Sequence, residues 1–191
     1  MTSPITPPQA DDISLPKVEL GKTGKQLSRM GLGGFHQLEI DSDAVAEVVD
    51  TFLACGGNYI RCTMSSRRYT AEGYRWDLLP YPFAKIDGKY DLRQWDDTYW
   101  NKLRTFLRET KKRGIIVQLE IWDRWNESGN SYRRGFGWYD SPWNPNNNVT
   151  YDWSDSPLLK EGKTDFYNAV HMAATKRDPA LLPLQQRFVE K

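Results

Sequence analysis

Glu120 and Asp123 are the residues of this chain whose type and spacing could do chemistry. Glu120 sits in the run 115–121, I-I-V-Q-L-E-I, two positions after Gln118 and so on the same side of an extended strand. A carboxylate in such an apolar run is costly to bury unless it is paired or working. Asp123 follows just past the run, beside Arg124 and between Trp122 and Trp125. Paired carboxyl groups serve acid–base and nucleophilic catalysis. In parallel α/β folds chemistry gathers at the carboxyl ends of the strands, where these residues fall. The competing expectation is that Glu120 only neutralises a structural arginine.

The elements that must position these residues alternate. Gly114 ends a long helical pattern, and the apolar, β-branched run after it reads as a parallel strand covered on both faces. The helix before it takes Asp97 or Thr98 as cap and Tyr99, Trp100, Leu103, Phe106 and Leu107 as its stripe. Lys111, Lys112 and Arg113 favour its carboxyl end. An earlier helix is capped by Asp41 or Ser42, carries Ala44, Val45, Val48, Val49, Phe52 and Leu53, and stops at Gly56 and Gly57. A strand at 58–62 follows. Ahead of these lie a flexible tail at 1–15, a hairpin signature at 17–29 with G-K-T-G at its turn, and a short buried strand at 31–35. The glycines there complete no phosphate loop. The stretches 63–97 and 123–164 read as loops, the first long enough to be functional. A short helix is expected near 165–174, and another from Asp178-Pro179 with Leu181, Leu182, Leu184 and Phe188. The order hairpin, β-α-β-α-β, loop, α implies a parallel sheet in one domain, 16–191.

Composition narrows the function classes. With 26 basic and 25 acidic residues the net charge is +1, which argues against nucleic acid or an acidic membrane as partner. No apolar run approaches the roughly 18 residues of a membrane span. The start, M-T-S-P-I-T-P-P, lacks a basic n-region and an apolar h-region, so a cytoplasmic chain is expected. Cys55 and Cys62 read as reduced thiols, and neither they nor His36 and His171 have metal-ligand spacing, so no metal is expected. The chain holds eight tryptophans, ten tyrosines and seven phenylalanines. Trp76, Trp122, Trp125, Trp138 and Trp143 offer either a platform for sugar rings or packing over the strand ends. Asn126-Glu127-Ser128 and Asn148-Val149-Thr150 match glycosylation acceptors, to which no weight attaches without a secretory signal.

Two resemblances meet in the second strand. L-G-K-T-G at 20–24, S-R-M-G-L-G-G at 28–34 and G-G-N-Y-I at 56–60 resemble the start of aldo-keto reductases, over about a quarter of the chain. That resemblance implies a hairpin plugging a barrel ahead of its first strand. The family's catalytic Asp and Tyr positions hold Arg61 and Ser66 here, and its cofactor-binding half has no counterpart, so no cofactor is expected. From about 58 onward, N-Y-I-R-C-T-M-S-S-R at 58–67, Y-D-L-R-Q-W at 90–95 and the run 106–125 are similar to a cellulase-like group of glycoside-hydrolase barrels. P-W-N-P-N-N-N at 142–148 and Q-Q-R-F-V at 185–189 extend the likeness. In that superfamily an arginine near the end of the second strand supports the catalytic carboxylates, a position that Arg61 fits. Its acid/base and nucleophile end strands four and seven, which this chain does not reach.

The resemblances imply an incomplete (β/α) TIM-type barrel, about three βα units preceded by a hairpin, with 16–60 reductase-like and 58–191 hydrolase-like. Glycoside hydrolysis needs two carboxyl groups about 5 to 9.5 Å apart. Glu120 and Asp123, with Arg61 beside Glu120, are the set this chain offers. Carbohydrate is the expected ligand, and activity of the chain alone is not expected. An NADP-dependent reductase fragment and a remnant without activity are the alternatives. An open barrel edge with apolar side chains such as Val117 or Leu119 would favour self-association.

Overall fold

In a computed structural model of the protein, the described residues are 14–32, 42–64, 68–70, 73–75, 81–122, 137–139, 141–164 and 167–191. The tail at 1–13, the glycine-rich strand after Leu32 and Asp123 lie outside them. The fold is mixed α/β, built from small sheets and helices. Its elements are β1 (Lys17–Glu19), β2 (Gln26–Ser28), α1 (Ser42–Ala54), β3 (Tyr59–Thr63), β4 (Arg68–Thr70), β5 (Gly73–Arg75), β6 (Phe83–Ile86) and β7 (Lys89–Trp95). These are followed by α2 (Asp97–Lys112), β8 (Ile116–Glu120), α3 (Met172–Lys176) and α4 (Leu181–Glu190). Two compact units are formed, Met1–Cys62 with Phe106–Leu119 and Thr63–Thr105 with Glu120–Lys191.

In the first unit β1 and β2 form the expected hairpin, Val18 opposite Leu27. Gly21 and Gly24 take φ of 55° and 70° in its turn, a region open to glycine at little cost. Asn58 fixes the hairpin to the next strand: its Oδ1 accepts from Ser28 N at 2.7 Å, and its Nδ2 donates to Gln26 O at 2.8 Å. The helix α1 ends as its sequence foretells, Gly56 N and Gly57 N donating to Leu53 O and Phe52 O. Leu32 bridges Ile60 in parallel, and β3 pairs with β8. Ile116 N donates to Asn58 O at 2.7 Å and Met64 N to Glu120 O at 2.9 Å, so both strands advance together and the pair is parallel. This is the parallel strand pair of the expected β-α-β-α-β alternation; its first strand is described only as far as Leu32, and β4 to β7 come between β3 and α2. No closed barrel is present among the described residues.

One expectation fails here. The strand read as covered on both faces is half-buried along β8, with Gln118 exposed. Tyr59 donates its hydroxyl to Gln118 Oε1 across the pair, so that polar side chain is satisfied locally.

The second unit contains structure that periodicity did not announce. Within 63–97, read as a loop, β4 pairs with β5 and β6 with β7, both antiparallel. Asp87 and Gly88 turn the β6–β7 hairpin with φ of 50° and 83°. An Asp-Gly pair between alternating residues is a hairpin signal, so the sequence held this information. The cap of α2 is Asp96, one residue ahead of the expected pair, its Oδ1 accepting from Tyr99 N at 3.1 Å. The N-cap of α4 is Ala180, two residues after the expected Asp178, whose Oδ1 still accepts from Ala180 N and Leu181 N at 3.0 and 2.8 Å. Asp178 Oδ2 accepts from the Ser156 hydroxyl, which completes the partners of a carboxylate only 1% exposed. Pro183 falls in the first turn of α4, where the missing N–H costs nothing.

Phe83, Leu92, Val170 and Leu181 form the deepest layer of this unit. Around them Phe83 stacks on Trp95 at 5.6 Å, Phe188 stacks on Trp122 at 5.3 Å, and Trp143 meets Phe83 and Trp122 edge-on. The segment 141–151 has no hydrophobic period because side-chain amides hold it. Asn148 donates to Pro142 O and Asn144 O and accepts from Thr150 N and Tyr151 N. Its neighbours join the hairpin, Val149 N donating to Tyr90 O and Leu92 N to Thr150 Oγ1. Asn148 is 4% exposed with both amide ends engaged, so the folded chain does not offer it as a glycosylation acceptor.

Candidate functional site

Glu120 is the last residue of β8 and is half-buried. Its carbonyl receives Met64 N, and Met64 O in turn accepts the Tyr99 hydroxyl at 2.6 Å, so the strand end is tied to α2. Ile121 and Trp122 then lead into the aromatic core. Trp122 has one face on Phe188 (5.3 Å between centroids, 28° between planes) and its ring 5.4 Å from Trp143.

Between these rings lies a cavity of about 20 Å³, lined by Met64, Tyr81, Phe83, Trp122, Trp143 and Phe188 among others. It has room for about one water molecule and is far below the several hundred Å³ of a small-molecule site. Trp143 is 2% exposed, its indole enclosed by the core. The sequence-predicted set is therefore divided. Trp122 and Trp143 come together in the core. Trp138 stands instead beside Trp153, ring centroids 6.5 Å apart at 74°. Arg61, in β3, is exposed, and Glu120 is half-buried. Asp123, Trp76 and Trp125 lie outside the described residues.

Tyr151 was not foreseen. It is buried and donates its hydroxyl to Trp143 O. Burial pushes its pKa well above the usual tyrosine value, the Asp178 charge pushes the same way, and a hydrogen bond with Asn148 opposes both. Its role is to hold the core loop. The signal missed was the Asn-rich run beside it, which reads as a loop but supplies the polar partners of a packed interior.

Among the described residues no group of three or more His, Cys, Asp or Glu could hold a metal ion, and no helix is long and apolar enough to cross a membrane. The chain matches no family model, no curated protein and no solved structure.

Proposed function

We propose that the chain is a glycoside-hydrolase-like partial (β/α) barrel that binds carbohydrate at the carboxyl end of its strands. One observation carries the reading: a carboxylate, Glu120, closes a strand that pairs in parallel with β3. A carboxylate hydrogen-bonds sugar hydroxyls. Hydrolysis is the stricter case, because it needs a second carboxyl group at a set distance. Asp123 is the candidate for it. The reductase reading draws support from the β1–β2 hairpin, held to β3 by Asn58.

Titration of soluble oligosaccharides against intrinsic tryptophan fluorescence tests the proposal. The expected response is weak, with Kd on the order of 1 mM or about −4 kcal/mol, and lost in Glu120→Gln. Tight NADPH binding with no sugar effect would put the reductase reading in its place. A response to neither would leave a chain without this activity.

A further inference from the structure

The β1–β2 hairpin turns its polar side to the protein and its apolar side to water. Ser28, 4% exposed, accepts from Asn58 N at 3.2 Å, so its side chain marks the inward face, which Lys17 opposite it shares. The ladder runs on past the strands, Leu20 N donating to Lys25 O and Arg29 N to Pro16 O, both at 2.8 Å. Successive side chains alternate between the faces. The outward face therefore carries Pro16, Val18 and Leu20 along one strand, with Arg29, Leu27 and Lys25 opposite them. Val18 and Leu20 are 49% and 44% exposed, Leu27 is half-buried, and Pro16, Lys25 and Arg29 are exposed. Large apolar side chains grouped on one exposed face, rather than scattered, mark an interaction surface.

We propose that this face docks on an anionic lipid surface. The charges on it choose between occupants. Lys25 and Arg29 stand on the face itself, and Lys22 is exposed in the turn. Glu19, the hairpin's carboxylate, is on the inward face and accepts from Gly24 N at 2.9 Å. The net charge of +1 hides this asymmetry, because residues 16–30 hold Lys17, Lys22, Lys25 and Arg29 against Glu19. At a bilayer the apolar side chains enter the boundary between headgroups and acyl chains, and the cations reach anionic headgroups on their long stems. A second copy fits less well. A two-fold contact repeats one patch on both partners, so it would set the Lys25–Arg29 pair of each copy against that of the other. Juxtaposed like charges oppose such a contact, and the six residues of the face supply no carboxylate to answer them.

Co-sedimentation of the full chain with vesicles tests the proposal, using phosphatidylcholine alone and an equimolar mixture with phosphatidylserine. The native chain should sediment with the mixed vesicles and not with the neutral ones. Salt at about 0.5 M, where the Debye length is a few ångströms, should release it. A cation near an anionic surface strengthens binding about fivefold, so Lys25→Glu with Arg29→Glu should weaken it about 25-fold or more. Val18→Thr with Leu20→Thr keeps the charge and removes apolar area, and should weaken binding about fivefold. Lys22→Glu, in the turn, disturbs neither strand and should also weaken it about fivefold. Melting curves recorded beside each assay confirm that these exposed replacements leave the fold intact. Equal sedimentation with both vesicles, sedimentation with neither, or native binding in all three variants would overturn the proposal. A dimer in light scattering that Val18→Thr with Leu20→Thr disperses, without vesicle binding, assigns the face to a second copy and also overturns it. The face shares no residue with the strand end around Glu120, so neither reading falls with the other.

Discussion

In the first unit Cys55, at 8% exposure, is the buried apolar side chain among the described residues, and Val18, Leu20, Met30 and Val48 are 41–62% exposed. In the second, Phe83, Leu92, Trp143, Ala169, Val170, Ala173 and Leu181 are 2% exposed or less. The first unit holds the parallel strand pairing and helix stop signals that make the chain read as α/β. The second holds irregular loops, short hairpins and, among the described residues, most of the buried apolar side chains. Hydrogen-bonded strands satisfy the backbone, but burial of apolar area is the larger favourable contribution to folding.

The largest effect expected from this contrast separates the two units by probe. All eight tryptophans lie in the second unit and both cysteines in the first. In a Cys62→Ser background, thiol labelling of buried Cys55 reports the first unit and tryptophan fluorescence the second. On a urea series the thiol should open at lower denaturant than the fluorescence shift. Trp143→Ala should destabilise the fluorescence-reported transition by about 4 kcal/mol, and Leu119→Ala the thiol-reported one by about 1 kcal/mol. Coincident transitions, or equal costs for the two substitutions, would break the comparison.

This division also explains what was legible. Helical stripes, glycine stops and the Asp178-Pro179 start leave a periodic or positional trace, and α1, α2, the β3–β8 pairing and α4 follow from them. The core around Trp143 leaves none, because Asn144, Asn147 and Asn148 hold it with side-chain amides aimed at carbonyls chosen by the fold. The place of Glu120 at a strand end was legible. The burial of Trp143 was not, since eight tryptophans look alike until packing separates the 2% exposed ring from the others.

An intermediate effect sharpens the second unit's side of the contrast. Tyr151 has its pKa raised by burial first and by Asp178 next. The folded state therefore keeps the phenol protonated where the unfolded chain, titrating near about 10, loses its proton. Stability from this group is fully present below that pH and falls as pH rises through the interval up to the folded value. The slope is at most about 1.4 kcal/mol per pH unit. Tyr151→Phe loses the hydrogen bond to Trp143 O, about 1 kcal/mol near neutral pH. It also removes this share of the alkaline decline, so the variant and native stability curves should converge above about pH 10. Parallel curves through the alkaline range would mean that the Tyr151 hydroxyl titrates as it does in water.

The smallest effect tests whether charge compensates for the first unit's shallow burial. Glu109 accepts from Lys112 Nζ at 2.9 Å and Arg113 Nη1 at 3.1 Å, with Arg108 Nε at 3.7 Å. The Lys112 hydrogen bond, then that of Arg113, holds its carboxyl below the ordinary value. A depressed carboxylate contributes stability above its unfolded pKa, near about 4.3, and loses it as pH falls through the lower folded value. The side chains involved are 40–63% exposed, so water and salt screen the network. Glu109→Gln should shift the thiol-reported transition only slightly at low salt, and not measurably at about 0.5 M, where the Debye length is a few ångströms. The fluorescence-reported transition should not move. If Glu109→Gln instead matched Leu119→Ala and kept its effect in salt, the first unit would owe its stability to its charges rather than to its half-buried strands, and the contrast between the units would have a different physical cause.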